Sequence, residues 1–523
     1  MTKQQQMSLG IELGSTRVKA VLLDERLETV ATGGFEWRSR LEDGHWTYSL
    51  DDVWHAVQRA VAALREDYRG RLQEELTGVG AIGVSAMMHG YLAFDEEGEL
   101  LTPFRTWQDT TTGAAARELS SLFRCNIPLR WSIAHLHQAI LDDEPHVARL
   151  ASLTTLAGYV HWRLTGERVL GIGDASGMFP IDHQARTYDA ALLDAYADLV
   201  ADRGFAWDIR KVLPEIRVAG EGAGRLTPEG ALLLDPTGTF APGAVAAPPE
   251  GDAGTGMVAT NSVRRRTANV SAGTSIFAMV VLERPLETTN PNLDMVTTPD
   301  GSPVVMVHCN NGAADLDDWV RLFGEAARAL GAEFDTDALF RTLYEAALQG
   351  SPDAGGLVAY NYRAGEPITG VDEGRPLFMR LPESRLGLAD FMRAHLYGAF
   401  ASLRLGFEIL RDEQVSVDEM FAHGGVFRTE GVAQRFLAAA LDVPVTVSSS
   451  ASEGGAWGMA LLAAFVLQGG GELPEWLETR VFADTERVTC TASQEELEGF
   501  DRFMARYSDG LAAERAAVAS FGR

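Results

Sequence analysis

The chain has 523 residues, 46% hydrophobic and 23% charged, which is enough apolar material for two or more domains with sizeable cores. A formal net charge of −28 argues against a nucleic-acid or anionic-membrane partner, since both ask for a basic surface, while a phosphorylated ligand needs only local positive charge. Cys125, Cys309 and Cys490 give no disulfide framework and no zinc spacing, the start MTKQQQ lacks the apolar core of a signal peptide, and the apolar stretch Ala456 to Leu467 is too short to span a bilayer, so a cytoplasmic location is expected.

The first informative stretch is Gly10 to Lys19, with a second apolar run from Val18 to Leu23. Two strands joined by a tight turn at Gly14-Ser15-Thr16 fit this pattern. The turn reads either as a plain hairpin or as a nest of backbone N–H groups for phosphate, with Glu12 placed to hold a hydrated Mg²⁺. A third strand is expected over Thr29 to Trp37, and the spacing of Val53, Trp54, Val57, Val61 and Leu64 predicts a helix over Leu50 to Leu64 capped by Ser49. Val79 to Phe94 reads as strand, interrupted by Met87-Met88-His89-Gly90; His89 there is either a ligand contact or a hydrogen-bonded, partly buried histidine. Trp107-Gln108-Asp109 is either a sugar-site pairing, a ring face for C–H groups and a carboxylate for hydroxyls, or a surface turn.

Pro145 to Gly166 is expected to be helical, ending at a C′ glycine, and Asp174-Ala175-Ser176-Gly177 marks a loop or helix start. The Pro, Gly and Ala-rich run Leu234 to Pro249 leads toward a domain boundary. After it, Asp252 lies among glycines, where it is either a base for a substrate hydroxyl or an ordinary turn residue. Arg266 to Val281 then echoes the opening: an apolar run, Gly273-Thr274-Ser275, and another apolar run, about half the chain length from the first copy. Such an echo suggests a duplicated architecture with two phosphate-gripping hairpins.

Further on, strands are expected at Val304 to His308, Gly355 to Tyr362, Met420 to Ala422 and Val443 to Val447. Helices are expected at Leu316 to Ala329, Leu388 to Leu410 and Val432 to Leu441, and another opens at Glu453-Gly454-Gly455-Ala456. The loop His423-Gly424-Gly425-Val426 serves either nucleotide contact or a structural turn. The last fifty residues read as helical and charged.

In this order the motifs resemble the FGGY carbohydrate kinases, of the actin-like ATPase superfamily, over nearly the whole chain and most of all their xylulokinase-like members. The resemblance is carried by Gly10 to Thr16, Met88-His89-Gly90, Trp107-Gln108-Asp109, Tyr159 to Gly166, Asp174-Ala175-Ser176, Gly251-Asp252, Ser271 to Ser275, Gly365-Glu366 and Gly424-Gly425. It implies an α/β fold of two ribonuclease-H-like domains flanking a catalytic cleft, a sugar-binding domain over residues 7–258 and an ATP-binding domain over 259–523. It implies Asp252 as general base, Met88, His89, Trp107, Asp109 and Asp252 as substrate contacts, and Glu12 as metal ligand. The ATP phosphates fall to Gly14, Ser15, Thr16, Lys19, Gly273, Thr274 and Ser275, with Gly424 and Gly425 near adenosine.

The implied partners are ATP with Mg²⁺ and a sugar, most of all a pentulose such as xylulose, with a homodimer as a candidate assembly. Gluconate, sugar-acid or other polyol kinases are the close alternatives. A non-catalytic sensor and an actin-like machine are the alternatives of other classes. Glu12 stands where the family usually has Asp, Met87 where Gln is common, Gln108 where Asn is common, and Thr110 where an Arg often follows. The Met-Met-His run is also reminiscent of gluconate-type members.

Overall fold

Two apolar runs, Ser8–Leu13 (β1) and Arg17–Leu23 (β2), fold back on each other in the computed structural model, which describes residues 2–448 and 454–521. They pair antiparallel, Leu13 opposite Val18. Strand Thr29–Glu36 (β3) continues the antiparallel order beside β2, and Ala81–Ala86 (β4) lies parallel to β1 on its other side. Val245–Ala246 (β5) and Glu250–Gly251 (β6) each add parallel to β4. Every residue of β4 is buried, as expected of a strand covered on both faces.

One face is covered by Leu50–Leu72 (α1), whose Ser49 Oγ accepts the Asp52 N–H at 3.1 Å. The helix runs eight residues past the expected end because Tyr68 continues the buried stripe of Val53, Val57, Val61 and Leu64. The other face is covered by Asp252–Ala259 (α2) and Gly454–Gln468 (α3). Apolar almost all round, α3 is buried along most of its length. Glycines set how closely these layers approach. A Cβ on Gly10 would lie 2.3 Å from the Ala456 carbonyl oxygen, and one on Gly458 would lie 2.1 Å from that of Thr255. The Glu453 of the expected helix opening lies outside the described residues.

The chain separates into two compact units, neither contiguous in sequence. The first takes Met1–Arg264, Asp294–Val304 and Glu453–Asp484; the second takes Arg265–Leu293, Val305–Ser452 and Thr485–Arg523. The run Leu234 to Pro249 lies inside the first unit, where it supplies β5. The expected long helix over Pro145 to Gly166 is instead a 3₁₀ turn, Pro145–Arg149, a strand, Ser152–Thr154, and a helix, Leu156–Thr165. Thr155 breaks the continuity: its hydroxyl accepts the Gly158 N–H as an N-cap, while the strand before it pairs with Leu92–Phe94.

In the second unit Thr267–Ala272 (β7) and Ile276–Val281 (β8) form the second hairpin, and Pro303–Cys309 (β9) lies beside β8. Glu419–His423 (β10) pairs parallel to β7, and Val445–Ser448 (β11) parallel to β10. Arg487–Cys490 (β12) closes this sheet antiparallel to β11, so the last fifty residues are not wholly helical; the alternating Arg-Val-Thr-Cys run pairs as an edge strand before the long helix Gln494–Ser520. Helix Leu388–Asp412 packs its apolar stripe into the core, as expected. Among the described residues no single helix is long and apolar enough to cross a membrane.

Candidate active site

The two hairpin turns share a hydrogen-bonding logic, each within its own unit. In the first, the Gly14 carbonyl accepts Trp37 Nε1–H at 2.7 Å, the Ser15 carbonyl accepts Tyr48 O–H at 2.6 Å, and the Thr16 carbonyl accepts the Trp37 N–H at 3.1 Å. Every carbonyl of the turn is thus drawn into the protein, while the N–H groups of Ser15 and Thr16 take no partner among the described residues. In the second, the Gly273 carbonyl accepts the Ala313 N–H at 2.8 Å and the Thr274 carbonyl the Gly312 N–H at 2.7 Å, leaving the Thr274 and Ser275 N–H groups free in the same sense. Two consecutive free N–H groups on a tight turn form a concavity for anionic oxygen. Gly312 serves the second turn by having no side chain, since a Cβ there would come 2.4 Å from the Gly273 carbonyl oxygen. Gly424 likewise sits at φ +109° against the end of β7, where a Cβ would meet the Ala272 oxygen at 2.2 Å, and Gly425 faces open space.

Carboxylates gather in the first unit from separate segments. Glu12, near the end of β1, lies 3.9 Å from Lys19 Nζ. Burial raises its pKa, and Lys19 and the Ala456 N–H work against that rise. Asp252 opens α2, and its Oδ1 accepts the Met88 N–H at 3.1 Å. Burial, with the negative charge of Glu12, pushes Asp252 up to about 6. Behind it Asp174 is wholly buried, accepts the Thr155 hydroxyl at 2.5 Å and is raised to about 7 by burial, Asp252 adding to the effect. Glu250 is buried too, accepts the N–H groups of Gly173 and Asp174, and is held well above the usual carboxylate range.

The expected sugar-site residues stand on neighbouring loops of the same unit. His89 and Gly90 take consecutive positive φ values, +74° and +96°, a conformation rare for histidine. His89 is buried, its Nδ1 lies 3.3 Å from the Gly177 carbonyl, and burial together with Arg130 pushes its pKa well down. The loop continues into Tyr91, whose N–H donates to the Arg105 carbonyl at 2.8 Å, so it runs beside the Trp107 to Asp109 segment. Trp107 is 41% exposed and donates its Nε1–H to Ser15 Oγ at 3.0 Å, linking that segment to the first turn. Asp109 is fully covered. Its Oδ1 accepts the Thr111 N–H at 2.9 Å and the Thr111 hydroxyl at 2.7 Å, and its Oδ2 meets His45 Nδ1. Burial opposes its ionisation, but the bonds from Thr111 and His45 outweigh that and hold its pKa below the usual value.

Of the residues singled out from sequence, Glu12, Gly14, Ser15, Thr16, Lys19, Met88, His89, Trp107, Asp109 and Asp252 share the first unit, and Gly273, Thr274, Ser275, Gly424 and Gly425 share the second. Sequence reasoning passed over His45, Arg130 and Glu250, which no local pattern marks, and saw Asp174 only as part of a loop or helix start and a family segment, with no role of its own. Glu366, by contrast, is buried and accepts the N–H and Nδ2–H of Asn311, a loop-knitting role.

The site suits a hydrated Mg²⁺, which keeps most of its waters and needs only one or two carboxylates. Burial raises the pKa of both Glu12 and Asp252, and the charge of Glu12 adds to the rise at Asp252, which a cation would relieve. Among the described residues no group of three or more His, Cys, Asp or Glu forms an all-protein metal cage.

Comparison with known proteins gives the family. Residues 7–238 match the model of the FGGY family of carbohydrate kinases, N-terminal domain, and 268–467 that of its C-terminal domain. The chain is 28% identical over 288 residues to the xylulose kinase of Escherichia coli, an alignment that covers 53% of this chain and about half (54%) of that enzyme. In fold it is similar to a xyloylose kinase from Brucella ovis, with a TM-score of 0.78 at 22% identity over 98% of this chain and 99% of that one. It is equally similar to a gluconate kinase from Lactobacillus acidophilus, with a TM-score of 0.79 at 18% identity over 99% of each chain. The two-domain actin-like ATPase fold expected from sequence is thus present. The chain belongs to the FGGY family of carbohydrate kinases.

Proposed function

We propose that the protein transfers the γ-phosphoryl group of ATP to a hydroxyl of an uncharged sugar, a pentulose such as xylulose, with Asp252 as general base. The observation that carries this reading is the hydrogen bond from the Met88 N–H to Asp252 Oδ1, which ties the proposed base to the loop of Met88 and His89. The substrate hydroxyl gives its proton to Asp252 as its oxygen bonds to the γ-phosphorus. The bond from that phosphorus to the bridging oxygen breaks, and ADP leaves with the electron pair. Negative charge spreading over the phosphoryl oxygens is met by the free N–H groups of Ser15 and Thr16, and within the second unit the Thr274–Ser275 turn and the Gly424–Gly425 loop are the candidates for nucleotide contact. Lys19, beside Glu12, adds positive charge on the phosphate side. Mg²⁺, held through Glu12 and its waters, neutralises phosphate charge when bound.

The charge of the site favours a neutral sugar over an aldonate. Three cations near these residues already have carboxylate partners: Lys19 has Glu12, Arg105 has Glu144, and Arg130 has Asp294, which also accepts Asn126 Nδ2–H at 2.8 Å. A substrate carboxylate would join Asp252, Asp174 and Asp109, while Lys19, Arg105 and Arg130 are already paired. In a coupled ADP-release screen of pentuloses, hexuloses, polyols and aldonates, kcat/KM for the best pentulose is expected to exceed that for gluconate at least about a hundredfold. Preference for gluconate would overturn the substrate assignment, and sugar-independent ATP hydrolysis alone would overturn the kinase reading.

A further inference from the structure

Complete burial and three hydrogen bonds withdraw the carboxylate of Asp109 from direct contact with a sugar. Its side chain is fully covered, Oδ1 accepts two hydrogen bonds from Thr111, and Oδ2 is engaged by His45. The imidazole of His45 is the exposed member of the pair, with 27% of its side chain open, and its Nε2 takes no partner among the described residues. His45 belongs to the short strand His45–Thr47, whose Trp46 carbonyl accepts the Thr106 N–H at 3.0 Å, so the strand is fastened along the Trp107 to Asp109 segment. The next residue but two, Tyr48, donates its hydroxyl to the Ser15 carbonyl, and Trp107 donates to Ser15 Oγ. His45 and Asp109 therefore sit one step from the first hairpin turn.

We propose that His45 is the residue that meets a substrate hydroxyl, through Nε2, and that Asp109 is its positioning residue. This rests on the sugar-kinase reading above. A carboxylate on Nδ1 fixes the proton there and the ring in one orientation, leaving the Nε2 lone pair to accept a hydrogen bond from a hydroxyl. The arrangement selects a hydroxyl at one position of the sugar and rejects an analogue lacking it, because Nε2 would then be left without a partner. No such role could be seen from the chain itself, where His45 lies in a polar loop between Gly44 and Trp46.

The test uses the full-length protein and calorimetric binding of the panel sugar it binds most tightly, with ATP binding as reference. His45→Ala is expected to weaken sugar binding about tenfold and leave ATP binding unchanged. His45→Gln, whose amide reaches the Nε2 position, is expected to recover most of the loss. His45→Asn, whose amide reaches only the Nδ1 position and so restores only the Asp109 contact, is not. If Asn restores binding and Gln does not, or if His45→Ala binds sugar as the unmodified protein does, the pair is a loop clamp and the proposal is overturned. An unmodified protein that binds sugar but does not turn it over overturns the kinase reading alone, and one that binds no sugar of the panel overturns both.

Discussion

Asp252→Asn is expected to lower sugar phosphorylation by between about 10² and 10⁴-fold while sugar binding stays within about threefold of the unmodified protein. The substitution keeps the shape of the side chain and, through Oδ1, the bond from Met88 N–H, so the sugar loop stays in place. It removes the site that receives the hydroxyl proton. The same residue sets the acid limb of the pH profile. Burial and Glu12 raise Asp252 to about 6 in the free protein, and a base works only when deprotonated, so kcat/KM should fall about tenfold per pH unit below that value and level off above it. Helix α2 begins at Asp252, and its N-terminal dipole favours the carboxylate, which limits the rise. An unchanged rate for Asp252→Asn, or an acid limb near pH 4, would remove Asp252 from the base role.

Gly10→Ala is expected to have the largest effect on stability. A Cβ at this position of β1 would lie 2.3 Å from the Ala456 carbonyl oxygen, 2.3 Å from the Ala460 N and 2.8 Å from its Cα. All three are backbone atoms of α3, so no rotamer change relieves the clash, and strand or helix must move. Overpacking of this kind costs about 3 kcal/mol or more, which for a chain of this size corresponds to a drop of about 3 °C or more in apparent melting temperature. Because Glu12 lies two residues further along β1, activity should fall more steeply than stability. Gly70→Ala is the matched control: it lies in α1 with nothing within 4 Å of its added methyl, and it should be neutral or stabilising by up to about 1 kcal/mol. Equal melting temperatures for the two variants in differential scanning fluorimetry would contradict the packing account.

The two hairpins could be read from the chain because their signal is local: apolar run, glycine with two hydroxyl residues, apolar run. The bonding of their carbonyls, which leaves N–H groups free, could not be read there. Trp37, Tyr48, Gly312 and Ala313, which occupy the turn carbonyls, are supplied by other parts of the fold. The same holds for the row of carboxylates, since Glu12, Asp174, Glu250 and Asp252 meet only after β1, β4 and β6 have come together. Helix α3 is a further case. Its sequence declares a buried helix, but nothing in it states that the helix packs on β1, more than four hundred residues earlier. The misread stretch, Pro145 to Gly166, shows the limit of periodicity: Ser152–Thr154 has apolar content that a helix could use, and the pairing with Leu92–Phe94 decides against it.

The central claim is phosphoryl transfer to a sugar hydroxyl, and phosphorus NMR of a reaction containing ATP, Mg²⁺ and a pentulose tests it most directly. The account predicts that the γ-phosphate signal is replaced by one sugar phosphate monoester in equal amount to the ADP formed, and that Asp252→Asn abolishes both signals together. Formation of ADP with inorganic phosphate alone, or an ester that still forms at the normal rate with Asp252→Asn, would contradict it.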